Sequence, residues 1–316
     1  MSASMQWGVV FPGQGSQHKG MLTELIGSSS TVKAVFEQGS AVLGYDLIAL
    51  VTDDPDEVLN QTALTQPVLL TAGVALYRLL QEYYPHQPTL MAGHSLGEYT
   101  ALVCAGSLSF SEGIKLVAER GRLMQTAVPE GQGAMAAIIG LSLAEVTEAC
   151  MLAAGEDTVS PANINGLAQI VISGHYEAVL RAMDEAKQKG AKLVKLLPVS
   201  VPSHCALMKE AAMDLHAYLA HVSLQSPQIP ILHNVDVHMH QDIDDIRDVL
   251  VKQLYSPVRW VDTVDTFAAQ GVTRVLELGP GQVLTGLNKR INKTVETYPI
   301  VDRQSLDAAL SFLAHA

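Results

Sequence analysis

The chain has 316 residues, 48% of them apolar and 16% charged, with 24 glycines and a formal charge of −12. That length supports a large core with a smaller unit inserted or appended, and the composition fits an α/β protein with covered strands while excluding a disordered chain. The acidic balance speaks against nucleic acid and anionic membranes as partners, because phosphate binding needs clustered Lys and Arg.

Met1 to Trp7 lacks the basic start, apolar run and small-residue cleavage site of a secretory signal, so the expected location is the cytoplasm. Trp7 to Phe11 reads as a strand and runs into Phe11-Pro12-Gly13-Gln14-Gly15-Ser16-Gln17. This glycine-rich loop has neither the third glycine of a dinucleotide fingerprint nor the lysine of a P-loop, which speaks against a nucleotide role. The uncharged stretch Val58 to Tyr77 is interrupted by Asn60, Gln61, Thr62, Gln66 and Pro67, so no membrane-spanning helix is expected. Thr65 to Tyr84 has a helical pattern, and Leu90 to Ala92 is a short apolar strand.

Directly after that strand comes Gly93-His94-Ser95-Leu96-Gly97, and directly after the motif a helical pattern runs from Leu96 to Cys104. A serine on a tight strand-to-helix turn holds its hydroxyl clear of the sheet, and small flanking residues let the turn close. The helix start aims unpaired N–H groups at whatever is joined to the serine oxygen, so the Leu96 N–H is a natural oxyanion donor. The alternative is an ordinary glycine-rich turn. If the Gly13-Gln14-Gly15 loop leaves a neighbouring parallel strand, it meets the serine in one crevice, where the Gln14 N–H is either a second donor or part of a plain turn.

A second helical pattern spans Ser111 to Ala127, in which Ile114, Val117, Gly121, Met124 and Val128 form a stripe at about 100° per residue. Arg120 flanks the stripe and Arg122 lies nearer the opposite face, so Arg120 is the one expected to point inward. A buried guanidinium needs an anion, either a ligand carboxylate or a protein acid.

From Gly131 the pattern changes to a βαββαβ unit: strands at Met135–Ile139, Val159–Ile164, Gln169–Ser173 and Lys192–Leu197, helices at Leu143–Ala154 and Tyr176–Lys189. This is a ferredoxin-like small domain at 131–200, with Asn165-Gly166 as the turn between its middle strands, inserted into a large α/β domain formed by 1–130 and 201–316. The large domain is expected to be α/β-hydrolase-like with a mostly parallel sheet.

Beyond the insert a helix is expected from His204 to His221, then a strand near Ile229–His233, a helix around Ile243–Leu254, a strand at Arg274–Leu278 and a final helix from about Gln282. A serine needs a base, and among 11 histidines His204, returning from the insert, is the best placed. His94 should point away from Ser95, and His238 and His240 lie in an acidic loop. Asp236, His238, His240 and Asp242 lack the fixed spacing of zinc sites, so no metal is expected. Cys104, Cys150 and Cys205 are too few and too scattered for a disulfide frame, and Cys205 reads as a packed thiol.

In combination these segments resemble the bacterial malonyl-CoA:acyl carrier protein transacylases. The likeness runs through Phe11–Gln17, Leu64–Tyr77, Gly93–Tyr99, Arg120–Gln125, Gly133–Met135, Ala162–Gly174, Val199–His204, Leu254–Trp260 and Gly279–Leu287. Leu167 and the acidic stretch Asp242 to Asp248 are less typical. The resemblance implies Ser95 as nucleophile, His204 as its base, Gln14 and Leu96 as backbone oxyanion donors, and Arg120 as a clamp on a substrate carboxylate. It also implies a dyad, with the Gln253 backbone carbonyl orienting the histidine, and a structural part near the cleft for Asn163 and Asn165.

The implied reaction moves a malonyl group from malonyl-CoA to the phosphopantetheine thiol of an acyl carrier protein for fatty acid synthesis, with no permanently bound cofactor. The basic runs Lys187, Lys189, Lys192, Lys195 and Lys289, Arg290, Lys293 are candidate docking points for the acidic carrier. The rivals are a serine thioesterase or hydrolase of the α/β-hydrolase type, an acyltransferase for polyketide assembly, and a noncatalytic carrier-docking module. The insert between Ser95 and His204 speaks against the first.

Overall fold

The computed structural model describes residues 6–55, 57–199 and 201–314. Met1–Met5 and Ser200, the last residue of the expected insert, lie outside the described residues. In chain order the first part comprises β1 (Trp7–Phe11), α1 (Thr23–Ser28), α2 (Ser30–Leu43), α3 (Leu47–Thr52), α4 (Thr62–Tyr83), β2 (Leu90–Gly93), α5 (Leu96–Cys104) and α6 (Phe110–Thr126). The middle part comprises β3 (Gly133–Ile139), α7 (Leu143–Ala154), β4 (Val159–Gly166), β5 (Gln169–His175), α8 (Tyr176–Gln188) and β6 (Leu193–Leu196). The last part comprises α9 (Lys209–Leu219), β7 (Ile231–Leu232), α10 (Ile243–Gln253), α11 (Trp260–Ala269), β8 (Arg274–Leu278), α12 (Val283–Ile291), β9 (Glu296–Ile300) and α13 (Arg303–Ala314).

Five strands form one parallel sheet in the order β7-β2-β1-β8-β9. Alternate side chains of β1 feed two different cores, as the two-residue repeat of a strand requires. Val9 and Phe11 join a cluster with Leu70, Leu76, Tyr99 and Val117 from α4, α5 and α6, whereas Val10 joins Trp260, Val264, Phe267 and Leu287 from α11 and α12. By length and composition α4 is apolar enough to cross a membrane, contrary to the sequence expectation, but 83% of that window is buried inside the fold. It serves as the central core helix, packed against α2, α5 and α6.

The middle part folds as a four-stranded antiparallel sheet in the order β4-β5-β3-β6, backed by α7 and α8, which is the ferredoxin-like arrangement. Its own core holds Ala136, Ile138, Ile170 and Ile172 against Val146, Cys150, Val179 and Ala182. The opposite face carries Met135, Ala162 and Val171, with Leu197 and Val199 beside them. β4 is stitched to the large unit: Ile164 N–H donates to Val258 O at 2.9 Å and Val258 N–H to Ala162 O at 2.9 Å.

Several elements differ from the expectations. The β4–β5 turn lies at Leu167-Ala168, because a register shift between Ile164 and Gly166 carries Asn165-Gly166 into the strand. His204 precedes the helix, which starts only after a 3₁₀ turn at Ala206–Met208, since its φ of 63° is incompatible with a helix. The helix after Gln282 is not the last: β9 and α13 follow it. β9 is an edge strand holding Pro299 with mostly half-buried side chains, so its sequence lacks a strand's clean alternation. α1 and α3, each of six residues, are too short to carry a periodic signal, whereas α2 and α11 are amphipathic and were not anticipated.

Phe11 pairs with Gly93, so the loops after β1 and β2 emerge side by side at the carboxyl edge of the sheet. Their contact is so close that glycine is obligatory: a Cβ on Gly97 would lie 2.0 Å from Phe11 O, one on Gly93 1.8 Å from Gly97 C, and one on Gly13 2.5 Å from His94 O. These neighbours are backbone atoms and cannot step aside. Gly97→Ala should therefore destabilise the protein by about 2 kcal/mol or more, as overpacked sites do, measured as a lowered urea midpoint; a midpoint equal to wild type would contradict this packing.

Candidate active site

Ser95 caps α5 with φ 51° and ψ −109°, a conformation that costs about 1–3 kcal/mol and must be held by its surroundings. Its N–H donates to Asn234 Oδ1 at 2.7 Å, and its carbonyl accepts from Gln253 Nε2 at 3.0 Å and from Glu98 N–H at 3.1 Å. The hydroxyl faces a cavity of about 120 Å³, bordered also by Gln14, Leu96, Arg120, Met135, Asn163 and His204.

His204 comes from the other side of the cleft. Its ring Nε2 lies 2.8 Å from Ser95 Oγ, and its Nδ1 lies 2.7 Å from the backbone carbonyl of Gln253. A carbonyl only accepts, so Nδ1 carries the proton and Nε2 offers its lone pair to the serine hydroxyl. The left-handed backbone of His204 is pinned by its N–H donating to Leu254 O at 2.9 Å. Both acceptors belong to the end of α10, whose last carbonyls have no helical partner. Burial, followed by the nearby Arg120 guanidinium, pushes the imidazole pKa down to about 3, against which the Gln253 carbonyl acts. The resting ring is neutral.

Arg120 is 1% exposed. Its Nη1 donates to Gln66 Oε1 at 2.8 Å, and its Nη2 donates to Gln253 Oε1 at 2.8 Å and to Ser95 Oγ at 3.3 Å. The guanidinium sits 5.1 Å over the Tyr99 ring, its Nε has no partner, and among the described residues it has no ion pair. Of the two readings of this arginine, a protein acid as partner is thus not what the fold provides. Arg122, as expected, faces outward and pairs with Glu119 at 2.6 Å. Of the stripe that pointed to Arg120, Val128 alone falls beyond the end of α6 and is half-buried.

Gln14 and Leu96 both border the cavity, and among the described residues neither backbone N–H donates to any group of the chain. The Gln14 side chain is tied to Thr62 Oγ1 at 3.2 Å. His94 borders the same cavity, but its ring engages other residues: its Nε2 lies 2.8 Å from Asn165 Oδ1 and it packs on Trp260. Asn165 thus ties the small sheet to the serine loop, and Asn163 borders the cavity.

Cys205 is buried with its Sγ 3.2 Å from Pro202 O, and burial raises its pKa. His240 Nε2 contacts Asp236 Oδ2 at 2.8 Å and His238 Nδ1 contacts Asp236 O at 2.8 Å; among the described residues no group of three or more His, Cys, Asp or Glu is arranged to hold a metal. Lys187 and Lys189 are paired with Asp184 and Glu148. Lys289, Arg290 and Lys293 are exposed, have no ion pair among the described residues, and edge a surface cavity of about 910 Å³.

Four site residues carry no motif of their own: Gln66, Glu98, Asn234 and the side chain of Gln253. Glu98 alone has a visible signal, a single acid in the otherwise apolar helix after the serine.

The family model for the acyl transferase domain matches residues 9–310. The malonyl CoA-acyl carrier protein transacylase of Escherichia coli K12 is 53% identical over 305 residues, covering 96% of this chain and 99% of that relative. The corresponding protein of Haemophilus influenzae is 50% identical over 309 residues, 98% and 99% of the two chains. Among solved structures, the malonyl CoA-acyl carrier protein transacylase from Coxiella burnetii superposes with a TM-score of 0.97 at 50% identity over 98% of both chains. A malonyl-transacylase in complex with its type II PKS acyl-carrier protein superposes with a TM-score of 0.96 at 52% identity, over 97% and 99%.

The depressed His204 pKa has a signed consequence. Between pH 6.5 and about 3 the unfolded chain binds a proton at this residue that the folded chain refuses, so stability is full above that window and falls on acidification. The contribution to the slope is up to about 1.4 kcal/mol per pH unit. Urea unfolding at pH 7 and pH 5 should show a smaller acid loss for His204→Gln than for wild type; equal losses would mean that the imidazole protonates freely in the folded state.

Proposed function

The chain belongs to the malonyl-CoA:acyl carrier protein transacylases of the acyl transferase family, and from that premise we infer how its residues carry a malonyl group from coenzyme A to a carrier thiol. The observation that carries the reading is a buried guanidinium with no ion pair among the described residues, 3.3 Å from a serine oxygen that a neutral imidazole also contacts. We read residues 1–130 and 201–316 as the catalytic domain, and 131–200 as an insert that walls the cleft.

His204 Nε2 takes the Ser95 proton as the oxygen attacks the malonyl thioester carbonyl. The Gln14 and Leu96 N–H groups receive the tetrahedral oxyanion. As the intermediate collapses, the carbon–sulfur bond breaks and the His204 imidazolium returns its proton to the departing coenzyme A thiolate. In the second half His204 deprotonates the phosphopantetheine thiol, the sulfur attacks the malonyl-serine ester, and Ser95 regains its proton. Among the described residues no acid stands behind the imidazole: the Gln253 carbonyl fixes its tautomer and, at a helix end of negative polarity, favours the imidazolium that forms.

Arg120 receives the malonyl carboxylate in its planar fork. Its positive charge is also the second cause of the low His204 basicity. A carboxylate arriving there neutralises that influence, so the correct donor strengthens the base that activates Ser95. The product supplies fatty acid synthesis in the cytoplasm, and the only prosthetic group in the cycle arrives on the carrier. Of the two basic runs, the unpaired Lys289, Arg290 and Lys293 suit an acidic carrier better than Lys187 and Lys189, which are already ion-paired.

Intact mass spectrometry after mixing with malonyl-CoA should show one added malonyl group on wild type and none on Ser95→Ala; uptake by Ser95→Ala would refute the nucleophile. Arg120→Ala should lower kcat/KM for malonyl-CoA by at least about 30-fold and for acetyl-CoA by no more than about 5-fold, the cost expected for truncating one side of a buried charge contact. Equal losses would remove the clamp from the mechanism. Lys289→Glu with Arg290→Glu should raise KM for the carrier and leave malonylation by malonyl-CoA intact, and a change in both half-reactions would rule out docking there.

A further inference from the structure

Beneath the serine loop lies a polar network that none of the bond-making steps uses. Glu98, in the first turn of α5, and His233 and Asn234, just after β7, are each fully buried. Glu98 Oε1 accepts from His233 Nδ1 at 2.7 Å, while Oε2 accepts from the Asn234 N–H at 3.0 Å and from Gln253 Nε2 at 2.7 Å. Packing alone does not require a buried carboxylate, whose desolvation costs several kcal/mol. What it supplies is orientation.

Gln253 turns its NH₂ towards a Glu98 carboxyl oxygen, and its Oε1 then faces Arg120. The same carboxylate holds the backbone of Asn234. The Asn234 side chain in turn makes two contacts that bracket the strained turn: Oδ1 accepts from Ser95 N–H at 2.7 Å, and Nδ2 donates to Gly93 O at 2.6 Å. The φ of 51° and ψ of −109° at Ser95 are not a local preference of serine, and this bracket is what enforces them.

We propose that Asn234 is a positioning residue for the Ser95 hydroxyl, and that Glu98, backed by His233, holds Asn234 and Gln253 in the orientation that this requires. The inference rests on Ser95 being the nucleophile. Among the described residues Asn234 does not hydrogen-bond Arg120 or border the cavity, and its one link towards the clamp is a long 3.5 Å contact from Gln253 Nε2, so its influence falls on the aim of the oxygen more than on donor binding.

The test is the single-turnover rate of Ser95 malonylation, followed by intact mass, in Asn234→Ala. A misaimed nucleophile costs roughly 10- to 100-fold in that rate, while malonyl-CoA affinity, titrated in Ser95→Ala with and without Asn234→Ala, should change by less than about twofold. A folded Asn234→Ala with the wild-type rate overturns the proposal, as does an equal loss of donor affinity, which is the mark of a general structural role. If Asn234→Ala fails to fold, Asn234→Ser, too short to reach both groups, and Glu98→Gln, which frees the Gln253 amide to turn, take its place. Slowed malonylation in both supports the proposal, and wild-type rates in both overturn it. Wild-type protein that takes up no malonyl group, or Ser95→Ala that still does, refutes the nucleophile itself and not the bracket.

Discussion

A guanidinium kept out of water, hydrogen-bonded to amide and hydroxyl oxygens and with no ion pair among the described residues, is the constraint around which this molecule is arranged. Arg120 is carried inward by α6, whose Gly121 allows close approach to α4: a Cβ there would lie 2.8 Å from Thr62 O. That approach brings Gln66 within reach of one arm of the fork, while Gln253 from α10 meets the other. Neutral acceptors satisfy its hydrogen bonds, and among the described residues the one acid that acts on it, Glu98, does so through space and not by an ion pair. The same charge adds to burial, the larger cause, in holding the His204 imidazole pKa down.

The histidine shows a second economy of design. Serine hydrolases that rely on a triad bury an aspartate or glutamate behind the imidazole. Here the end of α10 takes that place, presenting Gln253 O to the ring and Leu254 O to the backbone of the same residue. A carbonyl fixes the tautomer without adding a second buried charge. The acid that does lie nearby, Glu98, is directed away from His204 and towards the amides that support the serine loop.

How much of this was legible in the sequence depended on how local each signal was. The serine loop was plain, because strand, glycines and helix are contiguous and the close contacts at Gly93 and Gly97 demand those residues. The four-stranded insert was plain for the same reason: alternation and helical periodicity lie within each element, although a bulge moved the turn from Asn165-Gly166 to Leu167-Ala168. Arg120 was legible as inward-facing from its helical stripe, but its partners were not. His204 had no periodic signal; its position depends on a left-handed backbone and on carbonyls about 50 residues further along the chain, a separation that pattern cannot span. Glu98, Asn234 and Gln66 meet only in three dimensions. The short helices before Thr62 and the proline-bearing edge strand Glu296–Ile300 carried too little amphipathic contrast to stand out.

The pocket is built by two partners of unequal freedom. Its floor, with Ser95, Arg120 and the glycine contacts, is locked by backbone atoms that tolerate no added carbon. Its roof, with Met135 and Asn163 from the small sheet and Leu197 and Val199 from the chain just after it, faces away from the insert's stabilising core. Changes in these side chains therefore leave the core of the insert intact while altering the shape of the cavity. Such a division makes the molecule easy to retune: a new substituent on the transferred group can be accommodated from above, by exchanging a few surface-lining side chains, with the chemistry below left as it is.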